Sequence, residues 1–302
     1  MSMRRAGLIL ALSALLPVAA NAAPPLPAGM ARIPAGETRI GSEKGRADEQ
    51  PSFLAQIPEF DIDRTPVTVA AFAAFARKTH YRSDAERLGG GAVMSFGTGA
   101  WKLVPGADWR HPLGPAQAAA EPAHPVTQIS FNDASAYCAA SGKRLPSEAE
   151  WEHAARSGSK GEAIHAFGDE LIDKKGHYRA NVWTGVFPII NTAADGYRTT
   201  SPVGAFGYGP RGLADMAGNV WQWTSDWYRP YGQRDLPWPQ DRAGEKVQRG
   251  GSFLCDPKFC YGFRVTARGH ASPESSHMHV GFRCAKSVTA SPPLRAEEIT
   301  RR

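Results

Sequence analysis

Gly142-Lys143-Arg144-Leu145-Pro146-Ser147-Glu148-Ala149-Glu150-Trp151-Glu152 is the stretch on which the fold reading turns. Ser147 can accept a hydrogen bond from a free backbone N–H while Glu150, three residues on, reaches back to the Ser147 N–H, so the string predicts a capped helix start. That helix should end near Gly158. Just upstream, Asn132 or Asp133 is placed to cap a helix carrying Ala136, Tyr137, Ala139 and Ala140, with Gly142 as its stop. Further back, Val69, Phe72, Phe75 and Ala76 fall at helical spacing within 68–78. Residues 30–34 and 36–41 read as strand, turn and strand, and 53–60 as another alternating segment. The stretch from Gly89 to Pro125 reads as loop-rich. Beyond Gly158, short strands alternate with Gly, Pro and Asn turns as far as Cys284. The prediction is a single α+β domain with little regular secondary structure.

Composition agrees. The 302 residues include 31 Gly and 24 Pro, a content that favours turns over long helices. Hydrophobic residues make up 42% and charged residues 21%, which excludes wholesale disorder. The net charge of +6 is dispersed rather than gathered in Lys/Arg blocks, so nucleic acid is not an expected partner. At the N-terminus, Arg4 and Arg5 precede an apolar run over 6–20 and an Ala20-Asn21-Ala22 cleavage pattern. This predicts a cleaved signal peptide over 1–22 and a periplasmic or secreted chain. No later segment is apolar enough to span a membrane, so no membrane association is expected after cleavage. The domain is expected over 29–287 and a flexible tail over 288–302.

Four cysteines follow the leader: Cys138, Cys255, Cys260 and Cys284. An exported chain is permitted disulfides, and four cysteines allow three complete pairings, which the sequence alone leaves open. Cys255 and Cys260, five apart, admit three readings: a structural disulfide, a dithiol redox pair, or a metal site. Two thiolates without a nearby His suit Cu(I), whereas Zn²⁺ would want four ligands. There is no H-E-x-x-H, P-loop or dinucleotide-binding glycine pattern.

The 142–152 string, together with Gly218-Asn219-Val220-Trp221-Gln222-Trp223, Arg249-Gly250-Gly251-Ser252-Phe253 and Gly281-Phe282-Arg283-Cys284, resembles the signatures of the formylglycine-generating enzyme (sulfatase-modifying factor) family. The resemblance spans 29–287 and implies that family's C-type-lectin-like fold. Residues 107–115, which include Trp109 and Arg110, resemble a segment of its catalytic members. The family also holds iron-dependent sulfoxide synthases and binding proteins, so fold does not settle function. The 252–261 segment keeps the active-site cysteine pair, which most non-catalytic relatives lack.

The resemblance implies a copper-dependent oxidase. Cys255 and Cys260 would hold Cu(I), and the cysteine of an unfolded or extended sulfatase segment of the type Cys-x-Pro-x-Arg would join them. O2 and a thiol reductant would serve as co-substrates. The product is Cα-formylglycine, reached through loss of a Cβ hydrogen and hydrolysis of a thioaldehyde. Ser252 is implied as a hydrogen-bond donor beside the reacting oxygen and Trp221 as a wall of the O2 pocket. A structural Ca²⁺ would bind Asn181, Asp195 and the carbonyls of Val182 and Tyr197, the family's interval of fourteen being kept. A second would bind Asp215, Gly218, Val220 and Gln222, with Asp and Gln where the family has Asn and Glu. A Cys138–Cys284 disulfide is implied as well. A second structural disulfide of some members is missing at both positions, Ala155 and Val265. Asp256 replaces a frequent His, and His279 an Asn that lines the substrate groove. The alternatives in other classes are a non-catalytic, calcium-stabilised binding module with Cys255–Cys260 bridged, and a copper-sequestering protein.

Overall fold

In a computed structural model, which describes residues 25–156, 163–237 and 244–288, the capping box at 147–150 forms as expected. Glu150 N–H donates to Ser147 Oγ at 3.1 Å, and Ser147 N–H donates to Glu150 Oε2 at 2.8 Å. The helix runs Glu148–Arg156 and buries Trp151, Ala154 and Ala155 against an apolar cluster with Ile33, Phe60 and Ile62. Full burial of a side chain such as Trp151 contributes about 3 kcal/mol. The expected leader and nearly all of the expected tail lie outside the described residues.

The helix Phe131–Ala140 is capped by Ser130, not by Asn132 or Asp133. Ser130 holds the extended conformation that a cap needs, and its Oγ accepts from Asp133 N–H at 3.0 Å. Asp133 instead closes the box on Ser130 N–H and accepts from the Tyr81 hydroxyl and Asp84 N–H, tying three segments together. The stop at Gly142 holds: its φ of 64° lets Lys143 N–H reach back to Cys138 O. The 68–78 helix forms as Val69–Thr79, capped by Thr68.

Two regions depart from the sequence reading. The 53–60 segment is two strands. Phe53–Ile57 pairs with Gly36–Ile40, whereas Phe60–Asp63 is the middle strand of a sheet with Met30–Ile33 and Ala285–Ser287. Pro58 separates them because it brings no N–H to a ladder. The 89–125 stretch is not all loop, since Gly90–Met94 and Trp101–Pro105 form a hairpin. A helix missed by the reading, Asp84–Leu88, leads into it.

A four-stranded sheet carries the site, in the order Arg268–Ala271, Lys246–Arg249, Trp221–Trp227, Val280–Gly281. Where the chain leaves Lys246–Arg249, Gly250 and Gly251 both take positive φ (97° and 70°). A Cβ on Gly251 would lie 2.6 Å from Phe263 N, so only glycine lets the outgoing loop lie against its own return. Cys138 and Cys284 are bridged, Cα to Cα 5.6 Å, joining the Ser130-capped helix to the residue before the strand Ala285–Ser287. Across 146 residues of separation, chain entropy makes this cross-link worth about 3–5 kcal/mol. Ala155 and Val265 meet in one apolar cluster. No helix among the described residues is long and apolar enough to cross a membrane.

Candidate metal centre

Cys255 and Cys260 converge because Asp256, between them, winds the chain into a turn. Its carboxylate accepts from Lys258 N–H (2.7 Å) and Phe259 N–H (3.1 Å), and its carbonyl accepts from the N–H groups of Cys260 and Tyr261 (3.1 and 2.9 Å). Asp256 thus has work within the loop itself. The two sulfurs stand 2.9 Å apart as free thiols, well beyond the roughly 2.05 Å of a disulfide. Cys255 is buried at 1% exposure, and Cys260 is partly open.

The pair shares one proton unequally. A hydrogen bond from Cys255, helped by Gly262 N–H and the charges of Arg46 and Arg264, lowers the Cys260 thiol to about 7. Burial, with the neighbouring Cys260, pushes Cys255 well up. Cys260 is therefore the more acidic thiol of the pair. Metal-free, reduced protein should be alkylated first at Cys260, with the rate reaching half its plateau near pH 7, because only the thiolate attacks. Peptide mapping that found Cys255 labelled first, or a midpoint at the ordinary thiol value of about 8.5, would contradict this assignment.

Gly262, which the sequence reading did not single out, decides the space around the sulfurs. A Cβ there would sit 2.9 Å from each sulfur and 2.6 Å from the Trp221 ring. The two thiols, the indole and the bare Gly262 backbone therefore enclose a small cradle that one methyl group would fill. Its donors are two soft sulfurs, and no group of three or more His, Cys, Asp or Glu gathers among the described residues. That set fits Cu(I) and not a four-ligand Zn²⁺ or an oxygen-loving ion. Gly262→Ala should cut copper uptake at least tenfold while Tm moves by only a few degrees; unchanged copper stoichiometry and affinity would show that the cradle is irrelevant.

Ser252 is buried and its Oγ accepts from Leu254 N–H at 3.2 Å, so it shapes the turn that follows the two glycines. Trp221 stands on the central strand with its ring between Gly262 and Gly269. The structure thus gathers Cys255, Cys260, Ser252 and Trp221 around one loop. Two arginines were not foreseeable. Arg46 donates to Cys260 O at 2.6 Å across 214 residues, and Arg264 is anchored on Glu49. Residues 107–115 have a packing role, with Trp109 buried on Phe72 and bonded to Glu86.

The first calcium set adjoins the cysteines, since Trp183 N–H donates to Cys255 O at 3.1 Å. Asn181 Oδ1 is buried with no hydrogen-bond partner among the described residues. Asp195 accepts from Val182 N–H (2.9 Å) and Tyr197 N–H (3.1 Å), and burial raises its carboxyl above the usual range. An orphaned amide oxygen on Asn181, next in the chain to the Val182 N–H that holds the Asp195 carboxylate, suits a hard cation. The second set does not suit one. Gln222 Oε1 already accepts from Trp151 Nε1 (2.9 Å) and Arg283 Nε (2.7 Å), and Arg283 also reaches the Asp215 carbonyl. Burial draws the Arg283 guanidinium down to about 10, and a cation beside it would be repelled. Asp215 caps Gly204 N–H, while Gly218 bonds Gly250 O and Val220 is core.

The chain matches the Sulfatase-modifying factor enzyme 1-like domain over residues 17–288. It is 40% identical to a protein named formylglycine-generating enzyme from Streptomyces coelicolor, covering 93% of this chain and 98% of that relative. It is 37% identical to a Mus musculus protein named inactive C-alpha-formylglycine-generating enzyme 2, over 86% of each. Among solved structures, PvdO from Pseudomonas aeruginosa aligns with a TM-score of 0.64 and 26% identity, over 85% of this chain and 94% of that one.

Proposed function

Because the chain belongs to the sulfatase-modifying factor enzyme 1-like family, we propose that it is a formylglycine-generating oxidase. Its substrate would be the cysteine of a sulfatase-type Cys-x-Pro-x-Arg segment, in an unfolded or extended chain. The observation that carries this reading is the unbridged, convergent pair Cys255 and Cys260, with the cradle that Gly262 leaves open. The reaction balances as client thiol plus O2 plus two reducing equivalents from a thiol, giving aldehyde, H2S and water.

Cys255 and Cys260 would hold Cu(I), which when bound supplies the one-electron chemistry that a closed-shell thiol and O2 do not manage directly. Cys260, lowered to about 7, is the readier of the two to act as a thiolate, and Cys255 would give up its proton to a bound metal. Trp221 would wall the cradle, and the missing side chain of Gly262 would leave the space beside the two sulfurs open to the ion. Ser252 accepts with its oxygen and so keeps its hydroxyl proton for the reacting oxygen. Beside the cysteines, Phe259 is 69% exposed and stacked on Phe187, an apolar rim against which an extended client can lie.

The test is mass spectrometry of a Cys-x-Pro-x-Arg peptide after incubation with copper-loaded protein, O2 and a thiol. The expected product has lost H2S and gained oxygen, and forms only when all three are present. A peptide left unchanged by protein that retains one copper would refute the oxidase reading.

Calcium at Asn181 and Asp195 would brace Cys255 through Trp183. A chelator should lower Tm by several degrees, reversed by Ca²⁺, and Asp195→Ala should abolish that response. Identical melting with and without chelator would remove the site.

A further inference from the structure

Outside the cysteine loop, His277 and His279 form a pair to which the cysteine chemistry assigns no role, His279 standing where the resemblance places a groove-lining Asn. They lie two apart, His279 being within the turn closed by Val280 N–H on His277 O, with Met278 between them buried at 1% exposure against Met94. Their ring centroids are 5.8 Å apart. The indole of Trp101, carried by the 90–105 hairpin, touches both, at 5.6 Å from His277 and 5.0 Å from His279. The hairpin is docked there by Ala92, whose N–H donates to Ser276 O and whose carbonyl accepts from Met278 N–H. Each histidine keeps a buried Nδ1 with no hydrogen-bond partner among the described residues.

We propose that His277 and His279, roofed by Trp101, form a second metal site, selective for Cu(I) and separate from Cys255 and Cys260. An imidazole nitrogen about 2.0 Å from an ion places the ring centroid about 3.2 Å from it, so two rings on one ion stand about 5–6.5 Å apart. The observed spacing falls in that range. Burial holds both rings below the usual histidine range, with His277 adding to the effect on His279, so both are neutral and able to ligate. No third His, Cys, Asp or Glu joins them among the described residues. Two nitrogen donors leave Zn²⁺ and Ca²⁺ short of ligands but satisfy Cu(I), and an indole face offers a monovalent cation further attraction. The segment continues into Val280–Gly281, which pairs with Trp221 and Gln222, and Trp221 N–H donates to His279 O.

The experiment is anaerobic Cu(I) titration against a chromophoric chelator, with tryptophan emission followed in parallel, on the Cys255→Ser/Cys260→Ser chain. One equivalent should bind and quench emission. His277→Ala and His279→Asn should each weaken that binding at least tenfold, and Trp101→Leu should remove most of the quench. Should the double serine variant fail to fold, the otherwise wild-type His279→Asn chain serves, and it should take up one fewer equivalent than wild type. A double serine variant that binds no Cu(I), or histidine variants that bind as tightly as their parents, would overturn the proposal. Because the cysteines are absent from the first titration, its outcome is independent of the oxidase reading.

Discussion

Cys255→Ser and Cys260→Ser should each lower kcat/KM for peptide conversion by at least about 10³-fold, about 4 kcal/mol of transition-state stabilisation. A serine hydroxyl stays protonated at neutral pH and offers a hard oxygen where Cu(I) requires a soft anion. Both sulfurs serve one ion, so the double variant should be little worse than either single one. The structure adds an asymmetry. Cys255 is buried, and a hydroxyl there costs about 1–3 kcal/mol if it finds no partner, whereas Cys260 is more open and its replacement should leave Tm nearly unchanged. Copper content, peptide conversion and Tm measured on the same preparations separate the two effects. Either single variant converting peptide at the wild-type rate would remove the cysteine pair from the mechanism.

The second large effect concerns stability. Arg249 closes the strand that feeds the cysteine loop, and its side chain is fully buried. It pairs with Glu152 and with Glu148 (3.1 Å), and donates to Val265 O (2.7 Å) and Thr266 O (3.3 Å). Glu152 also accepts from Gly41 N–H and Arg156, and Glu148 from Arg268. Arg249→Met should cost about 3–5 kcal/mol, because it leaves buried carboxylates short of a counter-charge and two carbonyls short of a donor. Arg144→Met is the contrast. Its pair with Glu150 is bidentate, but the arginine side chain is 40% exposed, so the loss should stay below about 1 kcal/mol. Denaturant melts of the two variants decide the matter, and a cost for Arg249→Met no larger than that for Arg144→Met would show the network to be idle.

What was legible in the sequence follows the range of the interaction responsible. The Ser147–Glu150 box is a contact three residues long, and it forms as written. The neighbouring cap was misplaced because Ser130, Asn132 and Asp133 are all competent caps. The choice was made by distant partners, Tyr81 and Asp84, which hold the Asp133 carboxylate. The 53–60 segment read as one strand because alternation does not reveal the partner, and its two halves pair with different strands.

By itself the sequence determined the α+β class, the helices Val69–Thr79, Phe131–Ala140 and Glu148–Arg156, and the candidate cysteines, because these depend on residue type at short spacing. Tertiary structure brought Cys138 onto Cys284, the bridge that the family resemblance implies and residue spacing left open, and left Cys255 to face Cys260. It alone brought Arg46 to Cys260, made Gly262 the gap beside both sulfurs, and turned Gln222 toward Arg283. The reason is physical. A thiol's charge, the space beside it and the fate of an amide oxygen are set by whichever groups the fold packs within a few ångströms, and most of those groups come from remote parts of the chain.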